Sequence, residues 1–132
     1  MIGQRPSAQS AEVPGRRTAC NLLRSMFDAV DHRNWPALAG FYCPDCHYER
    51  PGFPPIQGRA ALLYFYETSR PILSGVHRLQ VVLEDADILC AMGHFNGVLR
   101  TGEPIQLQFA DLYELKDRLI HKRKTFFFTP LA

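Results

Sequence analysis

The chain lacks any apolar run that approaches the ~18 residues a membrane-spanning helix needs, so we expect no membrane partner. It also lacks an excess of one charge: the formal net charge is only +2, and no basic stripe is interleaved with aromatic residues. The short basic run from His121 to Lys124 falls in a predicted strand, and we interpret it as a solvent-facing surface. The composition therefore argues against a nucleic-acid partner.

The first residues contain Gln, Ser, Pro, Gly and Arg but no apolar signal-peptide core. We therefore expect a flexible N-terminal arm over residues 1–16 and a cytoplasmic protein. Residues 17–132 have the length of a single domain, with a core and room for a pocket. Hydrophobic residues make up 46% and charged residues 21%, as in ordinary globular domains, and there are no internal repeats.

Cysteine is scarce. The run Cys43-Pro-Asp-Cys46-His47 matches the Cys-x-x-Cys-His pattern of covalent haem attachment and half of a zinc site. Haem attachment would require export, and a structural zinc usually needs a second close pair of ligands, whereas Cys20 and Cys90 are far apart in sequence. We therefore expect reduced thiols, no metal and no cofactor.

Helical signals come first and strand signals follow. Apolar residues recur at helical spacing from about Arg17 to Arg33, Asn34 caps a second short helix that reaches Tyr42, and Gly58 opens a third over residues 59–69. A short strand is predicted near residues 47–50, and longer ones at 76–84, 88–99, 105–115 and 119–128. This order predicts an α+β fold in which a curved antiparallel sheet wraps on three N-terminal helices.

The strand over residues 105–115 carries an unusual carboxylate. Its odd positions are apolar and predict an inward face, but Asp111 interrupts them. Burying a charged carboxylate costs free energy unless it is paired or hydrogen-bonded. Asp111 is therefore either a functional group or the partner of a neighbouring Arg, such as Arg50 or Arg123.

Two further titratable side chains are expected near it. His77 lies on the inward parity of its strand, and Asp31 lies on or beside the buried stripe at the end of the first helix. The face of His94 is ambiguous, because both parities of its strand are apolar. A histidine beside an inward carboxylate is the arrangement of an oriented general base.

Several local runs, in this order and spacing, resemble the nuclear transport factor 2-like superfamily over roughly residues 17–128. The runs are Asp31-His-Arg-Asn-Trp35, Tyr48-Glu-Arg-Pro51, Ile56-Gln-Gly-Arg59 and the hairpin from Phe109 to Ile120. The resemblance implies a cone-shaped α+β fold. It does not fix a function, since the superfamily includes dehydratases, cyclases, isomerases, epoxide hydrolases and proteins without chemistry.

Position by position, the chain most resembles scytalone dehydratase and related bacterial dehydratases, at Asp31, His77, His94 and Asp111, which suggests the SnoaL-like and scytalone dehydratase-like branch of the superfamily. That resemblance implies an Asp–His pair that moves protons during loss of water beside a carbonyl, without metal or cofactor. Ketosteroid isomerase resembles the chain at Asp111, and the tyrosine that scytalone dehydratase places beside the helix-end Asp is Val30 here. A homodimer is expected by the same analogy.

These observations predict a cofactor-independent acid–base enzyme of dehydratase, cyclase or isomerase type, acting on a small apolar carbonyl-bearing metabolite such as a polyketide. The predicted catalytic residues are Asp31, His77, His94 and Asp111, and the predicted substrate-binding residues are Tyr48, Arg50, Phe53, Trp35, Phe65, Met92, Phe109 and Tyr113. The alternatives are a non-catalytic small-molecule-binding or assembly module of the same fold, or an accessory subunit of an oxygenase. A cone closed by residues 126–128 would favour the non-catalytic module.

Overall fold

The computed structural model describes residues 18–128, so the predicted N-terminal arm lies outside the described part of the chain. Three helices come first: α1 (Ala19–Asp31), α2 (Trp35–Ala39) and α3 (Arg59–Tyr64), the last of which continues into a π-helical turn (Phe65–Ser69). All three helices were predicted near these positions. The second ends earlier than expected, because Tyr42 already belongs to a strand.

Local side chains fix where the helices begin. The hydroxyl of Thr18 accepts a hydrogen bond from the N–H of Asn21 at 3.1 Å, and the side chain of Asn34 accepts one from Ala37 at 3.2 Å. Each satisfies a backbone donor that the first turn of a helix leaves unpaired. Before α3, Gly58 adopts a φ of 89°, a conformation that other residues rarely take.

Six strands follow or interleave with the helices. They are β1 (Tyr42–Glu49), β2 (Ile56–Gln57), β3 (Ile72–Asp85), β4 (Ile88–Leu99), β5 (Pro104–Lys116) and β6 (Leu119–Phe128). They form one sheet in the order β2-β1-β6-β5-β4-β3. The strands from β3 to β6 form an antiparallel meander, which the alternation of the sequence predicted.

The sheet corrects two features of the predicted fold. It is mixed rather than antiparallel, because β1 runs parallel to β6. It is also open, being neither closed nor strongly curled, so the expected cone-shaped wrapping is not observed. Parallel pairing joins segments that are distant in sequence, and a local pattern of apolar residues carries no information about it.

The core lies between the helices and one face of the sheet, here called the inner face. Its largest fully buried side chains come from both layers: Tyr42, Tyr48, Tyr113, Leu23, Met26, Leu38, Leu62, Leu89 and Ile120. Helix α1 packs on β3 and brings its last residue beside the edge of the sheet.

A pair of glycines makes room for an aromatic ring on this inner face. Gly75 and Gly97 are register partners on β3 and β4, and a Cβ on either would meet the ring of Phe95 at less than 3.0 Å. The ring of Phe95 therefore lies against the bare backbone of the two glycines. There it is close to His77, the next inward residue of β3.

The opposite face of the sheet, here called the outer face, is rich in exposed apolar side chains. Met92, Leu112 and Phe126 come from three neighbouring strands and are 43%, 42% and 49% exposed. Within residues 18–128, no helix is long and apolar enough to cross a membrane.

Candidate active site

The first element of the site is a hydrogen-bonded pair between Asp31 and His77. Asp31 ends helix α1, and its Oδ1 lies 2.6 Å from Nδ1 of His77 on β3. Its other oxygen, Oδ2, accepts the backbone N–H of the same histidine at 2.8 Å. A carboxylate can only accept here, so Nδ1 carries the proton and Nε2 is the acceptor of the neutral ring.

The imidazole of His77 is held among aromatic rings. Its centroid lies 4.4 Å from that of Phe27 in a stacked arrangement, 4.5 Å from that of Phe95, and 5.6 Å from that of Phe109 edge-on. Burial lowers the pKa of His77, and the hydrogen bond that its ring donates to Asp31 only partly opposes this effect. The ring is therefore neutral at neutral pH, which is the form a general base requires.

His77 lines a small inner cavity of about 20 Å³, which is roughly enough for one water molecule. Polar side chains surround it on several sides, among them Tyr48, Arg50, Tyr66 and Arg70. Its apolar lining comes from Ile72, Phe95, Leu107, Phe109 and Phe127. We call this space the inner cavity below.

Asp111 faces the core, as its strand parity predicts, but its oxygens are occupied. One oxygen accepts hydrogen bonds from Nη2 of Arg123 at 2.9 Å and from the hydroxyl of Tyr113 at 2.6 Å. The other accepts the hydroxyl of Thr125. The carboxylate side chain is 0% exposed. Asp111 is thus the counter-ion of Arg123, which is the pairing that the non-catalytic alternative anticipated.

Arg123 connects Asp111 to two tyrosines. Its Nη1 donates to the hydroxyls of Tyr42 and Tyr66, each at 3.0 Å, and its guanidinium lies 4.5 Å from the ring of Tyr48. Burial opposes the charge, but Asp111 and the tyrosines outweigh it and hold the pKa of Arg123 above its usual value. The interpretation of residues 121–124 as a solvent-facing run is therefore wrong for Arg123, which is buried.

Tyr66 differs from the other buried tyrosines. Burial raises its pKa, but the charges of Arg123, Arg70 and Arg50 together outweigh burial, so the pKa falls below the usual value. Burial instead leaves the pKa of Tyr42 well above the usual value. Arg123 thus binds the hydroxyls of Tyr42 and Tyr66, but only Tyr66 of these two lines the inner cavity. The hydroxyl of Tyr66 also gives up its proton more readily than that of Tyr42.

Two residues that the sequence grouped with the site lie elsewhere. His94 and Met92 share the outer parity of β4, whereas Ala91 and Phe95 are buried on the inner face. His94 instead lines an open groove of about 470 Å³ beside α1 and the edge strand β3, which His77 also borders. Both parities of β4 are apolar because its outer face is itself rich in apolar side chains, so the pattern could not separate the faces.

The remaining predicted binding residues lie at or behind the inner cavity. Tyr48, Arg50 and Phe109 line it directly, and the Phe109 ring meets that of His77 edge-on. Phe53 packs edge-on against Phe65 at 5.4 Å. Trp35 lies 5.8 Å from the ring of Tyr66, and Tyr113 is fully buried beside Asp111.

Three polar residues of the inner cavity are absent from the predicted site: Tyr66, Arg70 and Thr125. Thr125 does share the inward parity of β6 with Arg123, so that alternation was the available signal. Helical spacing places Tyr66 on the third predicted helix and Arg70 just after its end, with no signal that either reaches the cavity. Only the π-helical turn and the extended backbone at Arg70 bring them to the cavity.

No three His, Cys, Asp or Glu side chains within residues 18–128 lie close enough to hold a metal ion. Cys43 and Cys46 are free and buried. Burial raises the pKa of the Cys46 thiol to about 11, so it is protonated at neutral pH and is a poor metal ligand in that form.

Comparison with known proteins agrees with this architecture. The sequence profile of the SnoaL-like domain matches residues 23–122. No curated protein matches the chain at a significant level.

Solved structures of low sequence identity share the fold. A proposed polyketide cyclase from Xanthomonas campestris pv. campestris superposes with a TM-score of 0.75 at 20% identity, covering 83% of this chain and 90% of its own. A proposed ketosteroid isomerase from Kribbella flavida DSM 17836 gives 0.67 at 25% identity, covering 84% and 78%. An LEH-like epoxide hydrolase of M. tuberculosis gives 0.73 at 14% identity, covering 83% and 82%.

Proposed function

The chain belongs to the SnoaL-like domain family, and from that premise we propose that it is a cofactor-independent acid–base enzyme acting on a carbonyl compound. Proteins of this fold include a proposed polyketide cyclase and a proposed ketosteroid isomerase, whose names imply chemistry at carbonyl compounds. The observation that carries the proposal is the 2.6 Å bond between Asp31 and a neutral, aromatic-caged His77.

The first step is removal of a proton from the carbon next to the carbonyl. Nε2 of His77 takes that proton, and the electron pair of the broken C–H bond moves onto the carbonyl oxygen to give an enolate. Asp31 fixes the ring by its hydrogen bonds to Nδ1 and the backbone N–H, and it stabilises the imidazolium that forms. Such proton transfer contributes typically ~10²–10⁴-fold in rate.

The enolate oxygen needs a donor, and we assign that role to the hydroxyl of Tyr66. Arg123 binds the oxygen of this hydroxyl and leaves its proton to be donated toward the inner cavity. This revises the sequence-based prediction, which placed His94 and Asp111 among the catalytic residues and did not include Tyr66. Asp111 is occupied by three donors, and His94 lies on the outer parity of β4.

The imidazolium can then return its proton in two ways. Transfer to a β-hydroxyl lets water leave while the enolate electrons form the new C=C bond, which completes a dehydration. Where the substrate has a β,γ double bond the enolate is a dienolate, and transfer of the proton to its γ-carbon completes an isomerisation. Both reactions use only His77, Asp31 and Tyr66, and the structure of the substrate determines which of the two reactions occurs.

Exchange of α-protons for deuterium tests the proposal without knowledge of the natural substrate. The full chain is incubated in D₂O with cyclohexanone and with 1-tetralone, and loss of the α-proton NMR signal is followed. We expect exchange that is accelerated by wild-type protein and lost in folded His77→Gln. Equal acceleration by the two proteins would refute the role of His77.

Two tyrosine variants form a matched pair for the donor. Tyr66→Phe and Tyr42→Phe each remove one hydroxyl that accepts from Arg123 at 3.0 Å, but only Tyr66 lines the inner cavity. We expect exchange to slow in Tyr66→Phe and to stay within a few-fold of wild type in Tyr42→Phe. Equal losses in both would assign the hydroxyls to support of Arg123 instead.

A non-catalytic binding module is the second candidate, and two observations favour it. Asp111 is paired with Arg123, and the inner cavity has only about 20 Å³ of open space. In that case wild-type protein would bind a small molecule without accelerating exchange in any ketone tested. The same would hold for an accessory subunit of an oxygenase.

We further propose that the protein forms a homodimer through the outer face of the sheet. Met92, Leu112 and Phe126 are adjacent apolar side chains that remain 42–49% exposed, and contiguous apolar surface of this kind marks association sites. Leu112→Glu is expected to give a monomer by analytical ultracentrifugation. A wild-type chain that sediments as a monomer would refute the dimer.

A further inference from the structure

Two arginines at the inner cavity have no counter-ion. Arg70 is 6% exposed, and no carboxylate in residues 18–128 pairs with it or with Arg50. The Nε atoms of both are buried without a hydrogen-bond partner. The one inward carboxylate beside them, Asp111, is already bound to Arg123.

Aromatic rings hold these guanidinium groups but do not neutralise them. Arg70 lies 5.1 Å from the ring centroid of Tyr66 and 5.6 Å from that of Phe95. Arg50 lies within 5.8 Å of three phenylalanine rings, and its Nη1 donates to the hydroxyl of Tyr48 at 3.3 Å. Cation–π contacts of this kind leave most of the cost of burying an unpaired charge in place.

The electrostatics of the cavity point the same way. Arginine stays protonated in proteins, so the cost cannot be relieved by loss of a proton. Burial lowers the pKa of Arg70, and the charges of Arg50 and Arg123 add to this effect. The same arginines lower the pKa of Tyr66, which shows that the cavity carries an excess of positive charge. A bound anion would balance that excess.

We propose that Arg50 and Arg70 bind the carboxylate of a small, flat organic anion, which makes the substrate class of the inner cavity anionic rather than purely apolar. A guanidinium presents donors in a planar fork that matches the two oxygens of a carboxylate. Phe95, Phe109 and Phe127 give the same cavity flat apolar walls. The binding site stands on its own, but the orientation of the anion toward His77 rests on the proposed function.

Entry of such a ligand requires side chains at the rim to move. The cavity holds about 20 Å³, which is too small for an aromatic ring. Leu107, Phe127 and Arg50 line it and are only half-buried, so rotation of their side chains opens it without unfolding a strand.

Titration with benzoate tests the proposal directly. Benzoate is added to the full chain at low ionic strength and binding is measured by calorimetry, with benzamide as the neutral isostere and inorganic phosphate as a tetrahedral anion. We expect benzoate to bind at least about 10-fold more tightly than benzamide, because charge-assisted hydrogen bonds are lost in the amide. Equal affinities, or tighter binding of phosphate, would overturn the assignment.

Arginine variants locate the site. Arg70→Gln and Arg50→Gln are each expected to weaken benzoate binding by about 10-fold to 100-fold. Arg70→Lys keeps the positive charge but lacks the planar pair of donors, so its affinity for benzoate should lie between that of Arg70→Gln and that of wild type. Arg78→Gln removes an exposed charge from β3 and serves as the control, with unchanged affinity. Wild-type affinity in both Arg70→Gln and Arg50→Gln would refute the proposal.

A stability measurement separates binding from a structural role. Without ligand, Arg70→Gln should melt at or above the wild-type temperature, because it removes an uncompensated buried charge. A large drop in melting temperature would show that Arg70 stabilises the fold instead, and Arg50→Gln would then decide whether the anion site exists.

The His77→Gln variant distinguishes this proposal from the proposed function. It should still bind benzoate, since His77 is not one of the groups that carry the charge. If wild-type protein binds benzoate but does not accelerate ketone exchange, the anion site is supported and the proposed enzyme is refuted. If it accelerates exchange but does not bind benzoate, the enzyme is supported and the anion site is refuted.

Discussion

Replacing Asp111 with Ala is expected to destabilise the protein strongly, whatever the chemistry of the site. The change removes the acceptor of three hydrogen bonds and leaves Arg123, 4% exposed in its side chain, without its counter-ion. Breaking a buried ion pair at one partner costs about 3–5 kcal/mol. At about 4 °C per kcal/mol for a domain of this size, the melting temperature should fall by about 12–20 °C.

Differential scanning calorimetry measures this loss, with two further variants as controls. Glu114→Ala removes an exposed carboxylate from the same strand and should change stability by no more than about 0.5 kcal/mol. The double variant Asp111→Leu with Arg123→Met removes both charges and should recover most of the loss. An Asp111→Ala protein as stable as wild type would refute the counter-ion assignment. If Asp111→Ala loses ketone exchange but keeps the stability of wild type, Asp111 would instead be a catalytic residue.

Three further predictions concern the elements around the site. Because the pKa of His77 is lowered in the folded protein, the unfolded chain binds a proton at this residue at a higher pH than the folded chain does. The free energy of unfolding should therefore fall as the pH drops below ~6.5, and it should fall more in wild type than in His77→Gln. Urea titrations at several pH values measure this difference. Gly97→Ala would press a Cβ into the backbone carbonyl of Ser74 and the ring of Phe95, which should lower both ketone exchange and the melting temperature measured in a thermal scan. Thr18→Ala removes the cap of α1 and should cost about 0.5–2 kcal/mol in chemical denaturation, with exchange unchanged.

The sequence predicted the parts of the fold that depend on local periodicity. Strand β4 runs from Ile88 to Leu99 as expected, and the inward parity of His77 was correct. The position of Asp31 at a helix end, beside the buried stripe, was enough to anticipate its approach to the sheet. Both inferences use only the directions in which neighbouring side chains point along a helix or a strand.

The parts that could not be predicted depend on contacts between distant segments. Arg123 lies in a run of charged residues, and it is buried only because Asp111 on another strand pairs with it. Tyr42 follows a helix closely but begins β1, since its partner Ile120 lies on the last strand. Arg70 reaches the cavity through a π-helical turn, a geometry that no spacing in the sequence indicates.

The position of β3 at the border of the sheet has a consequence for solubility. An exposed border strand offers unpaired backbone groups on which another chain can add a strand and start aggregation. Asp31 occupies the backbone N–H of His77, and Arg33 donates to the backbone carbonyl of Leu73 at 2.7 Å. The end of α1 and the short segment after it therefore shield part of this border from intermolecular pairing. Loss of Asp31 would free the backbone N–H of His77 for pairing with another chain, and it would also remove the hydrogen bond that orients the His77 ring. One carboxylate therefore both covers the sheet border and positions the imidazole.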